Sequence, residues 1–247
     1  MDRLIYTAAS GMTSSMARQR IIANNMANSQ TIGFRAETIQ YTPMTLEGPS
    51  LEVRSMNSTE VKGASTKQGA IVQTGRKLDI AMTGDAMLTV QAPDGGEGYT
   101  RRGDLSISAT GLLENGDGLP VMGENGPITV PTDAVISIAE DGAIMSSDPQ
   151  TPEQLPVQIE KIKLVATTGS QISKDLTGLF RAPQNGVLPT NEDARVITGA
   201  VEQSNVQTTQ VLVEMVEAQR LFDIRAKLIA TAKDLDEGGA SLMRINS

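Results

Sequence analysis

Apolar residues recur at helical spacing at the two ends of the chain and alternate in short, turn-bounded pieces between them. Near the N-terminus Ile5, Ala8, Met12, Ile22 and Met26 keep a three-four spacing, with Ser15 and Gln19 set into the same stripe. The pattern predicts a helix over residues 4–27, about 36 Å long at the usual rise, with Asp2 as its cap. Its large apolar residues are few, and Ser10, Gly11, Thr13, Ser14 and Ser15 interrupt them, so this helix needs a second helix to hold its shape.

The C-terminal pattern is stronger. Ser204 and Gln207 have the spacing of a capping box, and Val211, Met215, Ala218, Phe222, Ile229 and Ala232 form one stripe. Leu221, Leu228 and Leu235 repeat every seven residues beside it, with Leu242 continuing the repeat beyond a predicted stop at Gly238 and Gly239. A helix of about 30 residues would be a rod of about 45 Å, with a stripe wide enough for more than one neighbour.

Between the helices, residues 36–77 hold no sustained period. Pro43, Gly48, Pro49, Gly63, Gly69 and Gly75 punctuate short alternations such as 51–53, which read as an extended connector with one or two strands. From Leu78 onward, pieces such as 87–90, 105–107, 128–130 and 135–138 alternate between Asp-Gly and Asn-Gly turns, the pattern of a compact antiparallel β module over residues 78–167. Residues 168–203, with Pro183, Gly186 and Pro189, read as a return connector. The predicted class is α+β: an axial helix and turn at 1–35 and an axial helix at 204–247 pair as a coiled-coil-like unit, with a central antiparallel β-rich domain.

The end of the first helix carries too many amides for a plain stop. Asn24, Asn25 and Asn28 lie at i, i+1 and i+4, which puts Asn24 and Asn28 one turn apart on one face. Buried amides need partners and fix register when they find them, so Asn24 and Asn28 are read as register marks between packed helices. Gly33 and Phe34 then turn the chain outward.

Composition narrows the chemistry. The chain has 247 residues with no His, Cys or Trp, 12 Met, three Phe and three Tyr, so the core must come from aliphatic residues and methionine. The usual general base, thiol nucleophile and commonest metal ligands are missing, and no cofactor is implied. A net charge of −8 argues against nucleic acid as a partner. Residues 79–160 carry fourteen acidic residues against Arg101 and Arg102, a self-repelling, solvated module. Acidic turn residues such as Asp94, Glu97, Asp117, Asp141 and Asp148 leave a carboxylate-dependent hydrolase as the rival reading, but Asp is favoured in such turns for backbone reasons. No N-terminal segment has the order of a secretory signal, and no run reaches the ~20 apolar residues of a membrane span.

The ends also carry motifs. The run Asn24-Asn-Met-Ala-Asn28 followed by Thr31-Ile-Gly-Phe-Arg35 resembles the N-terminal signature of the bacterial flagellar rod and hook axial proteins. The runs from Gly199 to Val206 and from Glu214 to Phe222 resemble their C-terminal signature, and Leu78, Ile80, Gly84, Asp85, Tyr99, Arg101, Gly103, Gly126 and Ile128 stand where the β module of that family has such residues. The ends look most like the proximal-rod members, with the distal-rod and hook-type members as alternatives.

The resemblance implies a structural subunit without enzymatic activity, small-molecule substrate or cofactor. It implies export through the flagellar type III apparatus without a cleaved signal, and assembly in the periplasm into the shaft that carries torque from rotor to hook. Its partners would be copies of itself, other proximal and distal rod subunits, and the export apparatus. The assembly interface it points to comprises Ile5, Met12, Ile22, Asn24, Asn25, Met26, Asn28, Thr31, Gly33 and Phe34 at one end. At the other end it takes in Ser204, Asn205, Val211, Met215, Gln219, Arg220, Phe222, Leu228, Ile229 and Leu235.

Overall fold

Two long helices enclose the chain in sequence, and sixteen short strands lie between them among the described residues. The computed structural model describes the backbone of residues 2–45, 55–149, 155–170, 172–175 and 177–245. Within these it describes the side chains outside 2–8, 39–45, 55–62, 185, 236 and 239–245. The expected interface residue Ile5, the alternation at 51–53 and Leu242 therefore lie outside the described side chains.

The chain divides into two compact units. The first holds residues 1–27, 37–63 and 207–247, and contains α1 (Asp2–Ala27), β1 (Glu37–Thr45), β2 (Ser55–Ala64) up to Gly63, and α2 (Thr208–Ile245). Here α1 packs against α2 and against β1, and β1 pairs with β2. The helices run antiparallel: the Gln19 amide reaches the Ala218 carbonyl at 3.5 Å, while Arg225, further along α2, reaches back to Gly11 and Ser15.

Both ends of α2 differ from the sequence expectation. The helix begins at Thr208, with the Gln207 carbonyl accepting the Val211 N–H at 3.0 Å, so Ser204 is not its cap. The Ser204 hydroxyl instead accepts the Val206 N–H at 3.2 Å, a local turn that competes with capping. At the other end the helix runs through Gly238 and Gly239 to Ile245. A glycine costs about 1 kcal/mol against alanine in a helix, which weakens a helix without ending it.

The second unit holds residues 28–36 and 64–206. It comprises β3 (Ile71–Gln73), β4 (Ile80–Met82), β5 (Ala86–Gln91), β6 (Glu97–Thr100), β7 (Ser106–Ile107), β8 (Leu113–Glu114), β9 (Val135–Ile138), β10 (Ala143–Ser147), β11 (Val157–Lys161), β12 (Leu164–Ala166), β13 (Ser173–Lys174), β14 (Phe180–Arg181), β15 (Val196–Thr198) and β16 (Ala200–Glu202). An antiparallel five-stranded sheet in the order β12-β5-β6-β14-β13 lies beside a three-stranded one, β11-β10-β9, and the pairs β15-β4, β16-β3 and β7-β8.

One aliphatic core runs through Ile80, Met82, Leu88, Val90, Leu105, Leu113, Val121, Ile128, Ile144, Ile162, Leu164 and Val196, and a smaller one gathers on Tyr99, Val165 and Phe180. Four strands, β13 to β16, fall in the stretch expected as a return connector, and β1 to β3 in the one expected as an extended connector. Those in the return stretch are two or three residues long, too short to show a period in the sequence.

Candidate assembly interface and its buried anchor

In the second unit, one charged residue from each of the three motif regions converges on a single point. Arg35 follows the N-terminal signature turn, Arg101 follows β6, and Glu202 ends β16. All three are buried: Glu202 is 0 % exposed, Arg101 1 % and Arg35 4 %. Arg35 Nη2 lies 2.8 Å from Glu202 Oε1, and Arg101 Nε donates to Glu202 Oε2 at 2.8 Å. The Gly69 N–H donates to Glu202 Oε1 at 2.9 Å.

One carboxylate cannot neutralise two guanidinium groups, so carbonyls take the rest. Arg101 donates to the carbonyls of Met82, at 2.8 Å, and of Ala86; Arg35 donates to those of Thr66, at 2.7 Å, and of Lys67. Burial pushes the Arg35 guanidinium below its ordinary range, Glu202 opposes that, and Arg101 adds to it.

The signature turn is seated by the same strand. The Gly33 N–H donates to the Glu202 carbonyl at 2.7 Å, and the Asn205 N–H to the Phe34 carbonyl at 3.2 Å. Gly33 has φ +69°, and a Cβ there would lie 2.4 Å from the Arg101 carbonyl carbon, so both conformation and space require glycine. Asn28 holds Thr31 by its carbonyl and side-chain oxygens, each at 3.1 Å. Asn205 accepts the Ala36 N–H at 2.7 Å and donates to the Lys67 carbonyl at 2.8 Å. Lys174 Nζ sits 3.7 Å over the Phe34 ring, which is thus half-covered by a cation.

The amides of the first unit reach β1. Asn24 donates to the Glu37 carboxylate at 2.7 Å. The buried Asn25 pairs with Glu37 like a strand neighbour, donating to its carbonyl at 3.0 Å and accepting its N–H at 2.8 Å. These bonds tie the end of α1 to the start of β1. Asn28 belongs to the second unit.

On α2, Val211 and Ala218 are buried, and Met215, Phe222, Arg225, Ile229 and Ala232 are half-buried. On α1, Ser14, Ser15, Ile21 and Ile22 are buried, and Met12 and Met26 half-buried. Gln219 and Arg220 are exposed. Away from the buried stripe, Leu212, Val213, Val216, Ile224, Leu228 and Leu235 stand exposed, 42–61 % each. Glu217, Arg220, Asp223 and Lys227 stand exposed among them, so this side of α2 mixes apolar and charged residues.

Four of the five acidic turn residues are engaged in structural contacts. Asp94 pairs with Arg181 and accepts the Gly96 N–H, Glu97 pairs with Lys163, Asp117 with Arg102, and Asp141 accepts the Ala143 N–H. The triad of Arg35, Arg101 and Glu202 is what sequence reasoning missed. The available signal was a charged residue at each motif, in a chain segment otherwise built for burial.

Three family descriptions match the chain: flagella basal body rod protein at residues 5–35, the flagellar hook protein FlgE/F/G D1 domain at 81–146, and the C-terminal region of the flagellar basal body rod FlgEFG proteins at 197–242. Among its relatives, the flagellar basal-body rod protein FlgF of Salmonella typhimurium is 36% identical over 247 residues, covering 98% of each chain. That of Escherichia coli is 37% identical over 95% of each. The flagellar basal-body rod protein FlgG of Bacillus subtilis is 32% identical over 99% of this chain and 100% of its own. With its terminal signatures joined at one buried anchor and matched over nearly its whole length, the chain belongs to the flagellar basal-body rod protein family, F type.

Proposed function

We propose that this protein is a structural subunit of the proximal flagellar rod, polymerising with copies of itself and with other rod subunits into the shaft that transmits torque from rotor to hook. The observation that carries the reading is the set of exposed apolar residues on α2. Six large apolar side chains stand in water there, and moving each from full exposure to full burial is worth roughly 1.5–3 kcal/mol. A torque-bearing shaft needs many such distributed contacts.

In this reading Leu228 and Leu235, with Gln219 and Arg220, meet neighbouring subunits. Val211, Met215, Phe222 and Ile229 close the pairing of α2 with α1 in a coiled-coil-like manner. Asn28, Thr31, Gly33, Phe34, Ser204 and Asn205 brace the β-rich unit. The family resemblance supports export by the flagellar type III apparatus and a place in the periplasmic span of the basal body.

The test is complementation of a strain lacking its own F-type rod subunit. The full chain restores motility and complete basal bodies. A chain lacking residues 1–27, which keeps the whole second unit, is expected to be folded there and to build no rod. Complete rods from that truncated chain would overturn the reading.

A further inference from the structure

The stripe of α2 that faces α1 is not wholly apolar. Val211, Met215, Ala218, Phe222, Arg225, Ile229 and Ala232 follow one alternating four-three spacing, and Arg225 occupies the seat between Phe222 and Ile229. Its guanidinium donates from Nη1 to the Gly11 carbonyl and to the Ser15 hydroxyl, both on α1. A carbonyl inside a helix keeps a second lone pair for such a donor. Gly11 exposes that carbonyl: a Cβ there would already touch Arg225 Nε at 3.5 Å, so alanine fits and a longer side chain would displace the guanidinium. Ser14 and Ser15, both buried, keep the rest of this stretch small.

The opposing requirement comes from α2 itself. With apolar residues on its seam and on its exposed face, two copies of α2 could bury their seams against each other. A guanidinium set against a second apolar seam would lose water and gain no acceptor, and one polar seat in a helix seam is enough to select partner and register. We propose that Arg225 is the partner-selecting residue of α2: it admits α1, whose Gly11 and Ser15 supply acceptors in one antiparallel register, and it rejects the seam of a second copy. This holds whether or not the chain builds a rod.

The full chain has no cysteine, so a single Ala218→Cys reports on the seam without background. Ala218 is buried under α1, and two thiols introduced there come within disulfide distance where two α2 seams meet in parallel and in register. Under mild oxidation, adding Arg225→Leu is expected to raise disulfide-linked dimers about tenfold or more, while Arg225→Gln, which keeps a donor for the same acceptors, stays near the parent level. Gly11→Leu is expected to speed labelling of the introduced thiol by loosening α1 without producing dimers, because Arg225 still rejects the second copy. Arg225→Met repeats the first arm if the leucine variant misfolds. Dimers no more abundant in Arg225→Leu and Arg225→Met than in the parent would overturn the proposal, as would equal dimerisation of Arg225→Gln and Arg225→Leu.

Discussion

The two units differ in where they place charge and apolar surface. The β-rich unit hides Arg35, Arg101 and Glu202 at its centre, whereas the helical unit leaves Leu228, Leu235 and four other large apolar residues of α2 in water. Buried charge is tolerable where a counter-charge and carbonyl acceptors are supplied, and large exposed apolar surface marks sites that a partner can cover. The difference teaches where each unit keeps its charge: the β-rich unit buries a charged cluster at its centre, and the helical unit buries its seam and carries exposed apolar residues along one helix. The β-rich unit pairs its buried charges within itself, with Arg35 Nε left without a partner, and it also exposes Leu155, Val157 and Val187; the helical unit lines six exposed apolar residues along α2.

The comparison can be broken at its strongest point first. Glu202→Ala leaves two guanidinium groups buried without a counter-charge and is expected to cost about 3–5 kcal/mol. Calorimetry should show a fall in the melting temperature of the β-rich unit on the order of 10 °C. An unchanged transition would mean that the triad contributes nothing to the unit's stability.

Gly33→Ala comes next, because strain at positive φ and collision with the Arg101–Arg102 peptide add to about 2–4 kcal/mol. Chemical denaturation of the full chain measures it. The same loss from an alanine at Gly118, where φ is +73° but space is open, would assign the cost to φ alone.

Charging the exposed face of α2 tests the other side. Ile224→Glu with Leu228→Glu should change monomer stability by no more than about 0.5 kcal/mol at each site while abolishing rod assembly in cells. Complete basal bodies carrying this double variant would show that the face is not an assembly surface.

The smallest effect lies in acid. The Thr168 hydroxyl and N–H donate to the Asp85 carboxylate and hold it below the usual carboxylate range. A depressed folded value means stability that is full above the unfolded value near 4 and is lost as pH falls through the folded one. Thr168→Val should therefore be less stable than the parent by about 0.5 kcal/mol or less above pH ~4, with the two curves converging in stronger acid. A constant gap across that range would place the effect in packing.

How much of this was legible beforehand differs by unit. The two helices and the α+β class followed from periodicity, because a helix of 26 or 38 residues repeats its pattern many times. The strands of the return stretch did not, since two or three residues carry no period. The stop at Gly238 and Gly239 failed because propensity is a weak term that the rest of a long helix outweighs. The cap at Ser204 failed because a hydroxyl with a nearer backbone donor takes it.

Among the candidate residues, the sequence could mark Asn24, Asn25, Gly33 and Asn205 as atypical but not name their partners. Glu37, Glu202 and Ala36 lie 12 to 169 residues away from them in the chain.

By itself, then, the sequence determined the local matter: where the helices lie, that the middle is turn-rich and antiparallel, and which family the terminal motifs resemble. Only the tertiary structure decided that the turn after α1 belongs to the β-rich unit, that Arg35 and Arg101 share one carboxylate, and that Arg225 stands in the α2 seam facing Gly11. The reason is physical. Periodicity and turn chemistry act over a few residues, whereas the pairing of buried charges is set by which distant segments are brought together, and no local pattern records that.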